Sequence, residues 1–268
     1  MFSHTLLRRH RSGLLALVLS LLIGGAPAAA QSVDSVVENL RATYQQQLET
    51  VDTYVVETNL YTSYSRKVTR DGNSTYESST RLKGSGNTPF ATGTTPTATY
   101  GLHLDRLAQH ATYAGTETIN GVRCHILEVD DPEAVNPEMA AGDADQMTYY
   151  IDAERHVPAR IRFTPSKRGQ GPQPSAVTIN MRDYRTTDGL TLPYRMEFQI
   201  DMDMSDKQRA QMEQALKQME NMPEQQRQQM QKMMGGQMDM MRQMMSGEPI
   251  VVEVQRVEVN TELPDGVF

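Results

Sequence analysis

Residues 111–129 read Ala111-Thr-Tyr-Ala-Gly-Thr-Glu-Thr-Ile-Asn-Gly-Val-Arg-Cys-His-Ile-Leu-Glu-Val129. Two β-prone runs, Ala111–Thr118 and Val122–Val129, flank Asn120-Gly121. Asn-Gly supplies the two left-handed residues of a type I′ turn, whose twist matches that of the strands it joins. The stretch reads as a hairpin, and a hairpin is antiparallel by construction.

The same punctuation recurs on both sides. Upstream, Tyr54–Tyr64 is rich in Tyr, Val and Thr, as strands are, and Asp71-Gly72 leads into a second strand at Thr75–Leu82. Downstream, Met147–Ile151 and Pro158–Thr164 bracket a turn at Asp152–His156, Ala176–Tyr184 and Leu190–Asp201 bracket Asp188-Gly189, and Ile250–Asn260 is a final strand. Pro193 inside one run predicts an edge position or a bulge, because proline has no N–H for the ladder. Roughly nine strands in sequential hairpins give a mostly antiparallel sheet with helices segregated to one face, an α+β fold.

Ser32 is an N-cap for a helix whose apolar positions Val33, Val36, Val37, Leu40, Tyr44 and Leu48 follow helical spacing. A short helix is read at Leu102–Ala108. Gly84–Thr99 and Pro165–Ser175 read as Gly/Pro loops. Asp130–Gln146 carries six acids and no base. Its spacing fits no EF-hand, so it reads as a solvated acidic loop.

The N-terminus reads as an export signal. Arg8, Arg9 and Arg11 precede the short apolar run Leu14–Ile23, and Ala28-Ala29-Ala30 offers a cleavage site before Gln31. The run is too short to span a bilayer as a helix. A Sec-type signal is the simpler reading, with Arg8-Arg9 leaving twin-arginine export as the alternative. Residues 1–30 are thus a signal peptide and 31–268 a single domain, placed in the periplasm with no transmembrane segment. Losing three arginines and no acid takes the formal charge from −7 to −10. That balance disfavours nucleic acid and anionic membrane as partners. Cys124 is the only cysteine, so no intramolecular disulfide forms. It reads as a small core residue.

Thirteen of the eighteen methionines fall between Met202 and Met245. Ser205 with Gln208, and Asn221 with Glu224, make capping boxes for two helices within 205–246. Met212 and Met219 share a face of the first. In the second, Met230, Met233, Met234, Met238, Met240, Met241, Met244 and Met245 fall within an arc of about 160°. Methionine is flexible and polarizable, which suits an irregular apolar ligand as well as it suits packing on the protein's own core. Bare thioethers also suit Cu(I), but sulfurs spread along a whole stripe form a surface, where a metal site needs a compact cluster.

The rest of the catalytic inventory is thin. His103, His110, His125 and His156 stand in no ligand or triad spacing. There is no G-x-S-x-G, H-E-x-x-H or P-loop. No catalytic residue, metal ligand or cofactor is assigned.

The hairpins share a further pattern. Gly115-Thr-Glu-Thr-Ile-Asn-Gly121, Tyr149-Tyr-Ile-Asp152 followed by Pro158-Ala-Arg-Ile161, and Tyr184-Arg-Thr-Thr-Asp188-Gly189-Leu-Thr-Leu-Pro193 resemble successive hairpins of the LolA/LolB-like superfamily. Val257-Glu-Val-Asn260 through Leu263-Pro-Asp-Gly-Val-Phe268 resembles its closing strand and terminal Phe. The resemblance implies a curved, mostly antiparallel sheet forming an incomplete, unclosed β-barrel covered by helices. The Met-rich pair is then inserted before the last strand. The family includes carriers that shelter lipoprotein acyl chains, outer-membrane lipoprotein receptors, and sensors; these are not enzymes. The expectation is an exported, non-catalytic carrier of lipid or lipoprotein acyl chains. Its hydrophobic lid would include Met212, Met219, Met230, Met233, Met234, Met238, Met241 and Met245. Two alternatives stay open: a sensor or assembly module whose Met face docks envelope proteins, and a thioether Cu(I)-handling protein.

Overall fold

The computed structural model describes residues 31–70, 73–83, 103–136, 144–166, 173–203, 206–207, 210–211, 214 and 246–268. The chain begins with α1 (Val33–Thr50), then β1 (Thr53–Thr58), β2 (Tyr61–Arg70) and β3 (Asn73–Leu82). Next come α2 (Leu104–His110), the β4 (Thr112–Ile119) and β5 (Val122–Val129) hairpin, and a turn of helix, α3 (Pro132–Val135). β6 (Ala144–Asp152), β7 (Pro158–Pro165), β8 (Gln173–Thr187), β9 (Leu190–Asp203) and β10 (Ile250–Val259) complete it.

The strands form one antiparallel sheet of ten, in the order β3-β2-β1-β10-β9-β8-β7-β6-β5-β4. The last strand slots between the first and the ninth, so the first and last parts of the domain are stitched together by hydrogen bonds. β3 and β4 end the sheet and do not pair with each other. The barrel is therefore unclosed.

Turn chemistry explains most of the boundaries. Asn120 and Gly121 have φ of 52° and 83°, and Asp188 and Gly189 have 47° and 87°, as type I′ turns require. Ser32 caps α1 reciprocally with Ser35: the Ser35 N–H donates to Ser32 Oγ at 3.3 Å and the Ser32 N–H to Ser35 Oγ at 3.1 Å. One sequence expectation divides. The run Tyr54–Tyr64 is two strands, because Thr58 makes a turn inside it. Its hydroxyl accepts from the N–H groups of Leu60 and Tyr61 and donates to the Tyr61 carbonyl. The acidic stretch is also more ordered at its start than expected: Asp131 caps α3, with Pro132 in the first turn. Pro193 sits on an interior strand, yet β10 pairs with β9 only over Arg195–Phe198. Proline therefore stands where β9 has a neighbour on the β8 side alone.

The sheet is curled around α1. The helix start touches β5 through the Gln31 amide, 3.4 Å from His125 Nε2. Thirteen residues on, Tyr44 OH lies 3.3 Å from Thr75 Oγ1 on β3, and Tyr76 OH donates to the Gln47 carbonyl. Thirteen helical residues span about 20 Å, whereas the eight strand spacings from β3 to β5 would span about 38 Å if flat. Only a curved sheet brings both within reach of one helix.

The core lies on the concave face. Val36, Val37 and Leu40 of α1 and Leu104 and Leu107 of α2 join side chains from β2, β5, β6, β7, β8, β9 and β10 in one buried cluster. A second cluster, Val51, Tyr54, Val56, Leu190 and Leu192, fixes the end of α1 against the β8–β9 hairpin.

Candidate functional site

Alternation places every second residue of each strand on the concave face. On β6 to β10 these are apolar: Met147, Tyr149 and Ile151, then Ile161 and Phe163, Ile179 and Met181, Met196 and Phe198, and Val252. Register keeps them in rows, with Tyr149 beside Ile161, Ile161 beside Ile179, and Ile179 beside Phe198. Phe163, Ile179 and Ile250 remain only half-buried against this cluster. Half-covered apolar side chains on an inward face mark where an apolar ligand gains most from contact.

The other wing of the same face is different. On β1 to β3 it presents hydroxyls: Ser63 and Ser65, both fully buried, opposite Thr80 and Ser78. Ser65 Oγ and Ser78 Oγ are 2.7 Å apart, and Thr80 donates to Ser63 at 3.4 Å. Tyr54 hydrogen-bonds Ser65 and Ser78, and burial pushes its phenol up to about 12. Tyr76 stacks edge-on to Tyr54 with centroids 5.0 Å apart and donates to the Val51 carbonyl at 2.9 Å. Burial raises the Tyr61, Tyr76 and Tyr149 phenols further still. All of them therefore stay protonated, and the concave face carries neutral hydroxyls. Lys67 is held near the end of α1 by Asp52 and by the Leu48 carbonyl.

At the far end His125 is buried on the same face, its Nδ1 3.2 Å from Tyr113 OH. Desolvation, then Arg123 and His156, lower its pKa. Cys124 points to the opposite face and is fully buried, as a core residue should be; burial and then Asp152 push its thiol up to about 11. Among the described residues no group of three or more His, Cys, Asp or Glu side chains could hold a metal ion, and no helix is long and apolar enough to cross a membrane.

Met212, Met219, Met230, Met233, Met234, Met238, Met241 and Met245 lie outside the described residues, as do residues 1–30. The hydroxyl wing was missed by sequence reasoning. Its only signal is the alternation of Ser and Thr with Tyr in β2 and β3, which resembles any polar edge strand.

No protein-family model matches the chain, and no curated protein matches it. Among solved structures it is similar to a DUF1329 family protein from Desulfovibrio piger, at 10% identity and a TM-score of 0.45, covering 88% of this chain and 96% of that one. It is also similar to a putative outer membrane lipoprotein-sorting protein domain from Vibrio parahaemolyticus, at 9% identity and a TM-score of 0.44, over 87% and 95%. A LolA superfamily protein from Nitrosomonas europaea shows 11% identity and a TM-score of 0.40, over 89% and 98%. These include the group that the hairpin motifs resemble. At such identities the likeness is one of outline, and the reading of the site rests on this chain's own residues.

Proposed function

We propose that the protein is an exported, non-catalytic carrier that shelters an apolar chain, a lipid or lipoprotein acyl group, against the concave face of its unclosed sheet. One observation carries this reading: Phe163, Ile179 and Ile250 are half-buried on an inward face whose deeper residues are fully packed. Each acyl CH₂ moved from water onto such a wall contributes about 0.8 kcal/mol, so a chain of ordinary length is held without any chemistry. The hairpin motifs and the export-signal pattern support the same reading from the sequence. Residues 205–246, whose sequence predicts two helices, link β9 to β10, the strands that carry part of this wall. Their methionine face is proposed as its deformable cover. The test is organic extraction of protein purified from the periplasm without detergent, with mass spectrometry of the extract. Stoichiometric lipid is the expected result. Protein that carries no lipid and takes none up from vesicles overturns the proposal.

A further inference from the structure

Several tyrosine hydroxyls in this fold have partners. Tyr44 meets Thr75, Tyr76 meets the Val51 carbonyl, Tyr113 meets His125, and Tyr194 meets Thr187. Tyr54 meets Ser65 and Ser78. Tyr61 stands differently. Its side chain is fully buried, and its hydroxyl has no hydrogen-bond partner among the described residues. Among the described residues one other side-chain atom shares that condition, Nε of Arg182, and the Arg182 guanidinium is already engaged by Glu197 at 3.1 Å.

A buried hydroxyl without a partner is costly, so a fold retains one where something else completes it. Tyr61 is also held with care. Its N–H donates to Thr58 Oγ1 at 2.9 Å and its carbonyl accepts from the same hydroxyl at 3.0 Å. Its ring belongs to the main concave cluster, and the next inward residues along β2 are Ser63 and Ser65. Tyr61 therefore stands at the border between the apolar wing and the hydroxyl wing. Burial keeps its phenol protonated, so it is a neutral donor.

We propose that Tyr61 is the polar anchor of the carrier site, donating a hydrogen bond to an uncharged carbonyl, the ester or amide that joins an acyl chain to its headgroup. This rests on the carrier reading above and adds ligand class to it. Charged carboxylates fit less well, because the neighbouring inward groups are neutral hydroxyls. An ester or amide carbonyl accepts one hydrogen bond from a neutral donor without bringing a charge into the core.

The test compares the full-length mature protein with Tyr61→Phe, using a pyrene-labelled fatty acid methyl ester and a pyrenyl alkane of matched length. The expected result is a fall of about ten-fold in the ester-to-alkane affinity ratio on substitution. An isotope-labelled ester carbonyl should also show a lowered infrared stretch in the wild type that is lost in the variant. If both probes bind the wild type and the ratio does not change, the anchor is refuted and the carrier stands. If neither probe binds the wild type, the carrier reading fails, and the anchor with it. Should Tyr61→Phe not fold, an unshifted carbonyl in the wild-type complex is itself decisive against the anchor.

Discussion

Gly189, in the β8–β9 turn, lies directly under Thr50, the last residue of α1: a Cβ built on Gly189 would come 2.6 Å from Thr50 Oγ1 and 3.4 Å from Thr50 Cβ. The glycine also has φ of 87°. The turn is thus both a hairpin and the seat on which α1 ends. Gly189→Ala adds left-handed strain and a clash, and should cost roughly 1–3 kcal/mol of stability. Urea denaturation checks it, and an unchanged midpoint would show that α1 is not seated on this turn.

The start of α1 depends on a weaker device. Ser32 and Ser35 satisfy each other's backbone N–H groups in an exposed position. Ser32→Ala should cost about 1 kcal/mol, and Ser32→Asp should restore it by placing an acid at the positive end of the helix. Thermal melts of the two variants make the comparison.

Acid should destabilise the protein through His125. Its folded pKa lies below its ordinary value of 6.5, chiefly through desolvation. The unfolded chain therefore binds the proton more readily. The stability this residue contributes is complete above pH 6.5 and is lost as pH falls through the folded pKa. His125→Gln should flatten that part of the curve of Tm against pH, while an unchanged slope would assign acid sensitivity elsewhere.

Alkali should act through the tyrosines in the opposite sense. Burial raises Tyr54 to about 12 from its ordinary 10.0, with Tyr61, Tyr76 and Tyr149 raised as well. Stability is present below pH 10 and is lost as pH climbs toward the folded values. Phenolate absorbance followed together with circular dichroism should show these residues ionising in the same step as unfolding. Ionisation of all tyrosines in an intact fold would contradict their burial.

Much of this architecture is legible in the chain because its signals are local. Asn120-Gly121 and Asp188-Gly189 each specify a turn with two residues, and Ser32 specifies a helix start with one. What escapes is either unconventional or distant. The Thr58 turn uses a side-chain hydroxyl in place of glycine, so Tyr54–Tyr64 looks continuous. The insertion of β10 between β1 and β9 depends on pairings such as Tyr54 with Val259, about two hundred residues apart, which no periodicity reveals. The same limit applies to the site. Ile179 and Phe163 are ordinary strand residues until the curl of the sheet turns them inward. Tyr61 looks like any other strand tyrosine until its buried hydroxyl is found without a partner among the described residues. The methionine arc is plain in the sequence, but its orientation relative to the wall depends on tertiary packing.

The proposed carrier would hold an apolar chain on the β7–β10 part of the concave face. The direct measurement is fluorescence titration of a pyrene-labelled acyl probe into wild type and Ile179→Glu, with folding of the variant confirmed by circular dichroism. A charge placed on the wall should weaken saturable binding by about ten-fold or more. Equal binding by the two proteins, or no saturable binding by the wild type, would contradict acyl binding on this face.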